Sequence, residues 1–390
     1  MDDLTHQADE DARVLGGKLG LSRRQMLAAT TGMAAAAVLG IGGAQAAHAA
    51  PNGNNGNGNG NNGNGNGPNG ILIPAPRRGI ILYTVRDAIS RDPNTTDLPS
   101  GFKEVFAALS AIGYQQVEFA GFSQSANAEG GNVNNIEGAK LLRTWLDDNG
   151  LRAQGNHGTI PSTITDASLA AFDTACEVAN ILGFKHIGTG SDPTSSSYLA
   201  DWQAAAERWN LLGARASQHG LKLYTHNHSP AYSFLLDSGP NDAQGRPTRS
   251  SGIRRLEWFL ANTDPKNVYL EMDIYWAHVA QHQHRSYMAP DGSTVTSIFD
   301  PAGLVASQTD RYPLFHAKDG KITDNADGYS MVPFGTGDID YSTFYRRIGA
   351  KGNHHSMYEQ DNAASYPTSS PAASLGNSDI SYQGLAALRG

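Results

Sequence analysis

Short apolar runs alternate with stretches of helical periodicity along most of the chain. GIILYT (79–84), QQVEFA (115–120), LRAQGN (151–156), KHIGTG (185–190), LKLYTH (221–226), VYLEMD (268–273), YPLFHA (312–317) and SMYEQ (356–360) read as strands. Helical spacing of apolar residues falls between them, over 102–112, 137–148, 167–182, 198–219, 253–261 and 341–349. Eight short strands separated by helices predict a parallel sheet, and eight is the number that closes a (β/α)8 TIM barrel. The rival, an open doubly wound sheet, wants a glycine-rich phosphate loop after an early strand. Neither a G-x-G-x-x-G nor a Walker pattern occurs there.

In such barrels the chemistry sits at the carboxyl ends of the strands. The strand ends here are rich in ionisable groups: Tyr83, Arg86 and Asp87 after the first, Glu118 in the second, His157 after the third, and Thr189 and Asp192 after the fourth. Then come His226-Asn227-His228, Asp273, His316 with Lys318 and Asp319, and Glu359 with Asp361. Asp, Glu and His without Cys is a mixed hard and borderline ligand set suited to a divalent ion, with Mn²⁺, Mg²⁺, Co²⁺ and Zn²⁺ all open. Lys318 follows His316 by two and so shares its face, where it could bind a substrate oxygen or stabilise an oxyanion.

The segments IILYTVRD (80–87), GYQQVEFAGF (113–122), YTHNH (224–228), LEMDIYW (270–276), FHAKDG (315–320), GTGDIDY (335–341) and YEQD (358–361), in this order and spacing, resemble one family. It is the sugar isomerase/epimerase superfamily with the xylose isomerase-like TIM barrel, and the resemblance spans nearly all of 79–362. It implies one divalent metal held by an acid from strand five, an Asp from strand six, a His from strand seven and a Glu from strand eight. Asp273, His316 and Glu359 match three of these. Strand five carries histidines instead, so His228 or His226 is expected to complete the sphere, His228 first. The resemblance implies a sugar isomerase or epimerase working by enediolate-type proton transfer, with Glu359, His228 and Lys318 as catalytic groups. Tyr83, Arg86, Glu118, His157 and Trp276 are expected around a carbohydrate substrate. The missing strand-five carboxylate leaves an alternative, β-elimination and hydration of an oxidised (3-keto) glycoside. A sugar-binding barrel without catalysis is a third reading, disfavoured by the metal-type residues.

The ends of the chain modify this picture. Ser22-Arg23-Arg24-Gln25-Met26-Leu27 is a twin-arginine signature, followed by an apolar stretch from Leu27 to Ala46 and the small-residue site Ala47-His48-Ala49. Residues 1–49 are therefore expected to be a signal peptide read by the twin-arginine export machinery, giving a periplasmic or extracellular protein. Pro51 to Gly70 is almost pure Asn and Gly, with little apolar surface to offset the entropy of ordering it, and residues 50–70 read as a linker. The barrel is expected over 71–390. Four basic and five acidic groups lie in the first 49 residues, so 25 basic and 32 acidic groups follow them. With no basic block, a nucleic-acid partner and a metal-dependent endonuclease on the same barrel are both disfavoured.

Several residues have plainer readings. Cys176, the one cysteine, lies in an apolar run and is expected to pack in the core. Glu118 could instead pair with Arg86. Glu271 lies two before Asp273 and reads as a structural ion-pair partner one layer deeper. His278, His282 and His284 read as a solvated loop, and His354 and His355 as surface residues.

Overall fold

The computed structural model describes residues 70–349 and 354–390. The expected signal segment, and the linker up to residue 69, lie outside the described residues. Eight parallel strands form one sheet: β1 Arg78–Ile81, β2 Gln116–Phe119, β3 Arg152–Asn156, β4 His186–Thr189, β5 Lys222–Thr225, β6 Val268–Asp273, β7 Leu314–Ala317 and β8 His355–Tyr358. Their order around the sheet is β3-β2-β1-β8-β7-β6-β5-β4. Only β3 and β4 lack a full ladder to each other. A single parallel bridge, His157 to Gly188, joins them and brings the sheet round into a nearly closed barrel.

Helices cover the outside. The longest, Leu199–Gln218, buries Trp202, Ala205, Ala206, Trp209, Leu212 and Ala216, a spacing that puts one stripe against the strands. Trp202 and Trp209 both meet Phe259 edge-on, at ring separations of 6.0 and 5.8 Å. Truncating either to Ala would cost about 3–5 kcal/mol through lost burial and the cavity left behind. Cys176 is fully buried in the helix Asp166–Leu182, and burial pushes its thiol up to about 12.

Inside the barrel, alternation along each strand stacks side chains in layers. Tyr269 on β6, Leu314 on β7 and Met357 on β8 cluster with Tyr224 of β5 as an apolar floor. Two residues further along come Glu271, His316 and Glu359, and two further still Asp273 and Lys318. The files thus change from apolar to ionisable as they approach the carboxyl ends. Glycine makes room for the Tyr224 ring: a Cβ on Gly188 of β4 would lie 2.3 Å from the Tyr224 carbonyl oxygen and 2.5 Å from its ring.

Some local expectations change. Residues 278–284 are not a solvated loop: Ile274–Gln283 is a helix that starts directly off β6, its first turn capped by the Asp273 side chain accepting from Trp276 N. His354 and His355 are half-buried, the first donating to the Tyr312 carbonyl and the second paired with Gln116 Oε1 at 2.8 Å. Three further helices among the described residues, Arg86–Ser90, Pro301–Ser307 and Ser374–Ala387, are additions to the expected set.

Candidate metal centre

The ends of β5 to β8 converge on one buried cluster. Ligand-type atoms of His226, Asp273, His316 and Glu359 all lie within 4.8 Å of one another, and so do those of His157, His226, Glu271 and His316. His316 is completely buried and central to both groups. Its Nδ1 lies 2.7 Å from Glu359 Oε2, and its Nε2 lies 2.9 Å from Glu118 Oε2 and 3.1 Å from Glu271 Oε2. Lys318 Nζ stands 2.8 Å from Glu359 Oε2, 3.0 Å from Asp273 Oδ2 and 3.1 Å from Asp361 Oδ1.

The local chain explains these positions. Asp273 is the last residue of β6 and caps the following helix through Oδ1, leaving Oδ2 turned to the cluster. β5 ends at Thr225, so His226, Asn227 and His228 leave the strand and no longer alternate as strand residues do. His226 stays inside, with Nε2 3.8 Å from Asp273 Oδ2. His228 lies exposed at the mouth, its ring 5.5 Å from that of Trp276 and its backbone N–H donating to Asp192 Oδ1 at 3.0 Å. His226, rather than the first-expected His228, is therefore the histidine within ligand distance of Asp273, His316 and Glu359.

A polar cavity of about 460 Å³ opens above the cluster. Tyr83, His157, Thr189, His226, His228, Lys318, Glu359 and Asp361 are among its lining residues. Arg86 lies behind this wall, donating to the carbonyls of Tyr83 and Asp361 at 2.7 and 2.8 Å while its guanidinium covers the Tyr83 ring. Trp276 flanks Lys318, whose ammonium is 5.5 Å from its ring centre. Glu118 neither lines the cavity nor pairs with Arg86. It is fully buried below His316 and accepts from the Tyr224 hydroxyl. Strand periodicity placed Glu271 a layer below Asp273, but it could not show the three histidines that meet there.

Burial and mutual charge set the protonation of the cluster. Burial, reinforced by the Glu271 carboxylate, pushes Glu118 up to about 7. Burial also raises Asp273 to about 6, with Lys318 pulling the other way. Against the effect of burial, Lys318 and then His316 hold Glu359 well below the usual carboxylate range. His226 is pushed well down by burial and so is kept neutral, the form in which imidazole binds a cation.

The donor set fits a divalent ion on evidence from the structure itself. Glu271 Oε1 is a buried polar atom without a hydrogen-bond partner, His226 Nδ1 has only a long 3.4 Å approach to Glu271 Oε2, and Asp273 Oδ2 faces only the Lys318 ammonium, at 3.0 Å; all belong to this cluster. Orphaned buried groups of this kind are rare, because each costs about 1–3 kcal/mol. Two imidazoles and two carboxylates make a mixed borderline-hard set appropriate to a first-row divalent metal.

Comparison with known proteins places this geometry. No curated protein matches the chain. A sugar phosphate isomerase/epimerase from Parabacteroides distasonis ATCC 8503 superposes with a TM-score of 0.55 at 21% identity, covering 81% of this chain and 96% of that one. A second such protein from the same organism gives 0.54 at 15% identity, covering 79% and 96%. The probable 3-DHS dehydratase AsbF of Bacillus anthracis, involved in petrobactin synthesis, gives 0.51 at 12% identity, covering 79% and 98%. At these identities the likeness is one of fold. The model of one family matches residues 106–376, well over half the sequence, and this chain belongs to that family, the xylose isomerase-like TIM barrels.

Proposed function

We propose that this chain is an exported, divalent-metal-dependent sugar isomerase or epimerase that moves a proton at the carbon beside a sugar carbonyl. One observation carries the reading. The buried group His226, Asp273, His316 and Glu359 meets the floor of a polar cavity at the carboxyl ends of the strands, with His226 and Glu359 belonging to both. These four residues would hold the ion. A bound divalent metal polarises a carbonyl and acidifies the adjacent C–H.

The chain supplies the rest. Glu359, kept ionised by Lys318, takes the proton. Lys318 donates to a sugar oxygen on which negative charge develops. His228, at the mouth, returns a proton from another side of the cavity. Tyr83 and His157 line the walls and orient the sugar. The twin-arginine motif supports export, and Mn²⁺ is the first metal to try.

A second reading rests on a specific feature. The strand-five position carries His226 and no carboxylate, and the other carboxylate in the cavity wall, Asp361, follows Glu359 by two at the same strand end, so no acidic base faces Glu359 from strand five. One base with an imidazole partner suits β-elimination from a 3-keto glycoside, followed by hydration. A single experiment separates the two. Keto-sugars and 3-keto glycosides are incubated in D₂O with Mn²⁺-loaded protein and with a His316→Ala variant. Deuterium beside the carbonyl with an isomerised sugar supports the first reading. A released aglycone with an unsaturated sugar supports the second. No exchange and no product in any substrate would sink both.

A further inference from the structure

A neutral imidazole has one nitrogen with a proton and one with a lone pair. A ring that binds a cation through one nitrogen leaves its proton on the other, where it needs an acceptor. His226 and His316 each face two ways. On the cavity side, His226 Nε2 looks toward Asp273 and His316 Nδ1 toward Glu359, at 3.8 and 2.7 Å. On the inner side, His226 Nδ1 lies 3.4 Å and His316 Nε2 3.1 Å from the same atom, Glu271 Oε2. His157 Nε2 meets that oxygen at 2.7 Å, and Glu118 Oε2 backs His316 Nε2 at 2.9 Å. One carboxylate oxygen thus collects the inner nitrogens of three rings.

We propose that Glu271, supported by Glu118, is the positioning carboxylate of the metal centre. It holds the N–H of His226 and of His316 on the inner side and turns the lone pairs of His226 Nε2 and His316 Nδ1 toward the ion. This rests on the metal-centre reading above. The inner group of His157, His226, Glu271 and His316 is the competing location for an ion. It would need lone pairs on the opposite nitrogens of the two shared rings, so the same neutral rings cannot serve both. Both groups reach the cavity wall, the inner through His157 and His226 and the outer through His226 and Glu359; the outer group is the nearer to an entering sugar because Asp273 lies two residues closer to the carboxyl end of β6 than Glu271 does.

The test uses full-length protein with ¹⁵N-labelled histidine, titrated with Zn²⁺ as a diamagnetic probe. Long-range ¹H–¹⁵N spectra of the wild type, with signals assigned from His226→Gln and His316→Gln variants, report which ring nitrogen carries the proton. The expected pattern is a proton on His226 Nδ1 and on His316 Nε2 in the Zn²⁺-loaded state. Glu271→Leu should lose this pattern and weaken Zn²⁺ binding by about 10–100-fold. Glu271→Gln keeps an acceptor oxygen and should recover much of the loss, which a merely space-filling role would not produce. Zn²⁺ on the inner nitrogens would overturn the proposal and make Glu271 a ligand. Unchanged affinity and spectra in a folded Glu271→Leu variant would overturn it too. A wild type that binds no Zn²⁺ or Mn²⁺ would remove the metal-centre reading itself.

Discussion

Asn227 and Asp273 are joined by two hydrogen bonds across the ends of β5 and β6. Asn227 Nδ2 donates to the Asp273 carbonyl at 3.3 Å, and the Asp273 N–H donates to Asn227 Oδ1 at 3.0 Å. The side chain of the middle residue of His226-Asn227-His228 is thereby a strut that fixes where β6 ends and where the Asp273 carboxylate points. Asn227 is fully buried, so Asn227→Ala leaves a donor and an acceptor unpaired and should cost about 2 kcal/mol. Urea unfolding would read this, and Mn²⁺ affinity should fall with it. Unchanged stability would show that water replaces the strut.

The two histidines that flank Asn227 should separate cleanly. His226→Ala removes a buried group next to Asp273 and should abolish stoichiometric metal, measured by elemental analysis of the purified protein. His228→Ala, at the exposed mouth, should retain the metal and lose turnover. Equal metal loss in both would return His228 to the ligand set.

Lys318 sits among three carboxylates at the place where a cation is wanted. Lys318→Met leaves Asp273 and Glu359 buried without the ammonium that stands 3.0 and 2.8 Å from them. Apo stability should fall by about 3 kcal/mol or more. The same variant should gain more from added Mn²⁺ than the wild type does, since the ion restores the missing charge. The check is the rise in Tm on adding Mn²⁺, compared between the two proteins. A smaller rise in the variant would contradict the idea.

Two histidines away from the cavity make stability depend on pH. Burial lowers His186 to about 4 and His355 to about 3, from an ordinary value of 6.5. Both are neutral in the fold, while the unfolded chain takes up protons from pH 6.5 downward. Their contribution is thus fully present above about pH 6.5 and is lost as the pH falls toward 4 and then 3. For His186 the loss should reach about 2 kcal/mol by pH 5. His186→Gln keeps a donor for the Gln154 carbonyl and should flatten the fall in urea-unfolding free energy between pH 7.5 and 5. A slope equal to the wild type's would assign the pH dependence elsewhere.

The strands were legible because each is a short apolar run ended by a polar residue, and β1 to β8 appear within a few residues of where those runs lie. The helix Ile274–Gln283 was not, because it starts without a break from β6 and is apolar on nearly every side. The helix Ser374–Ala387 escaped for the opposite reason. Its buried residues include Ser374, Asn377, Ser378 and Ser381, which carry no apolar stripe and are held by hydrogen bonds such as Asn377 Nδ2 to the Ala363 carbonyl. Asp273, His316 and Glu359 could be read from their strand ends. Glu118 and Glu271 could not be assigned their partners, since strand alternation gives a side chain's face and layer but not which residue meets it across the barrel. His226 and His228 share a parity that holds only while a strand continues, and β5 stops at Thr225, before either of them.

The single bridge between β3 and β4 gives the barrel an asymmetry of stiffness. The residues that would hold the ion come from β5 to β8, a continuous half-hoop tied by full ladders. The joint lies on the other half, and the residues around it, His157, Gly158, Thr189 and Gly190, form one wall of the cavity. A hoop yields at its joint. Substrates of different girth would therefore be admitted by widening this wall, while the half whose residues would hold the ion keeps its geometry.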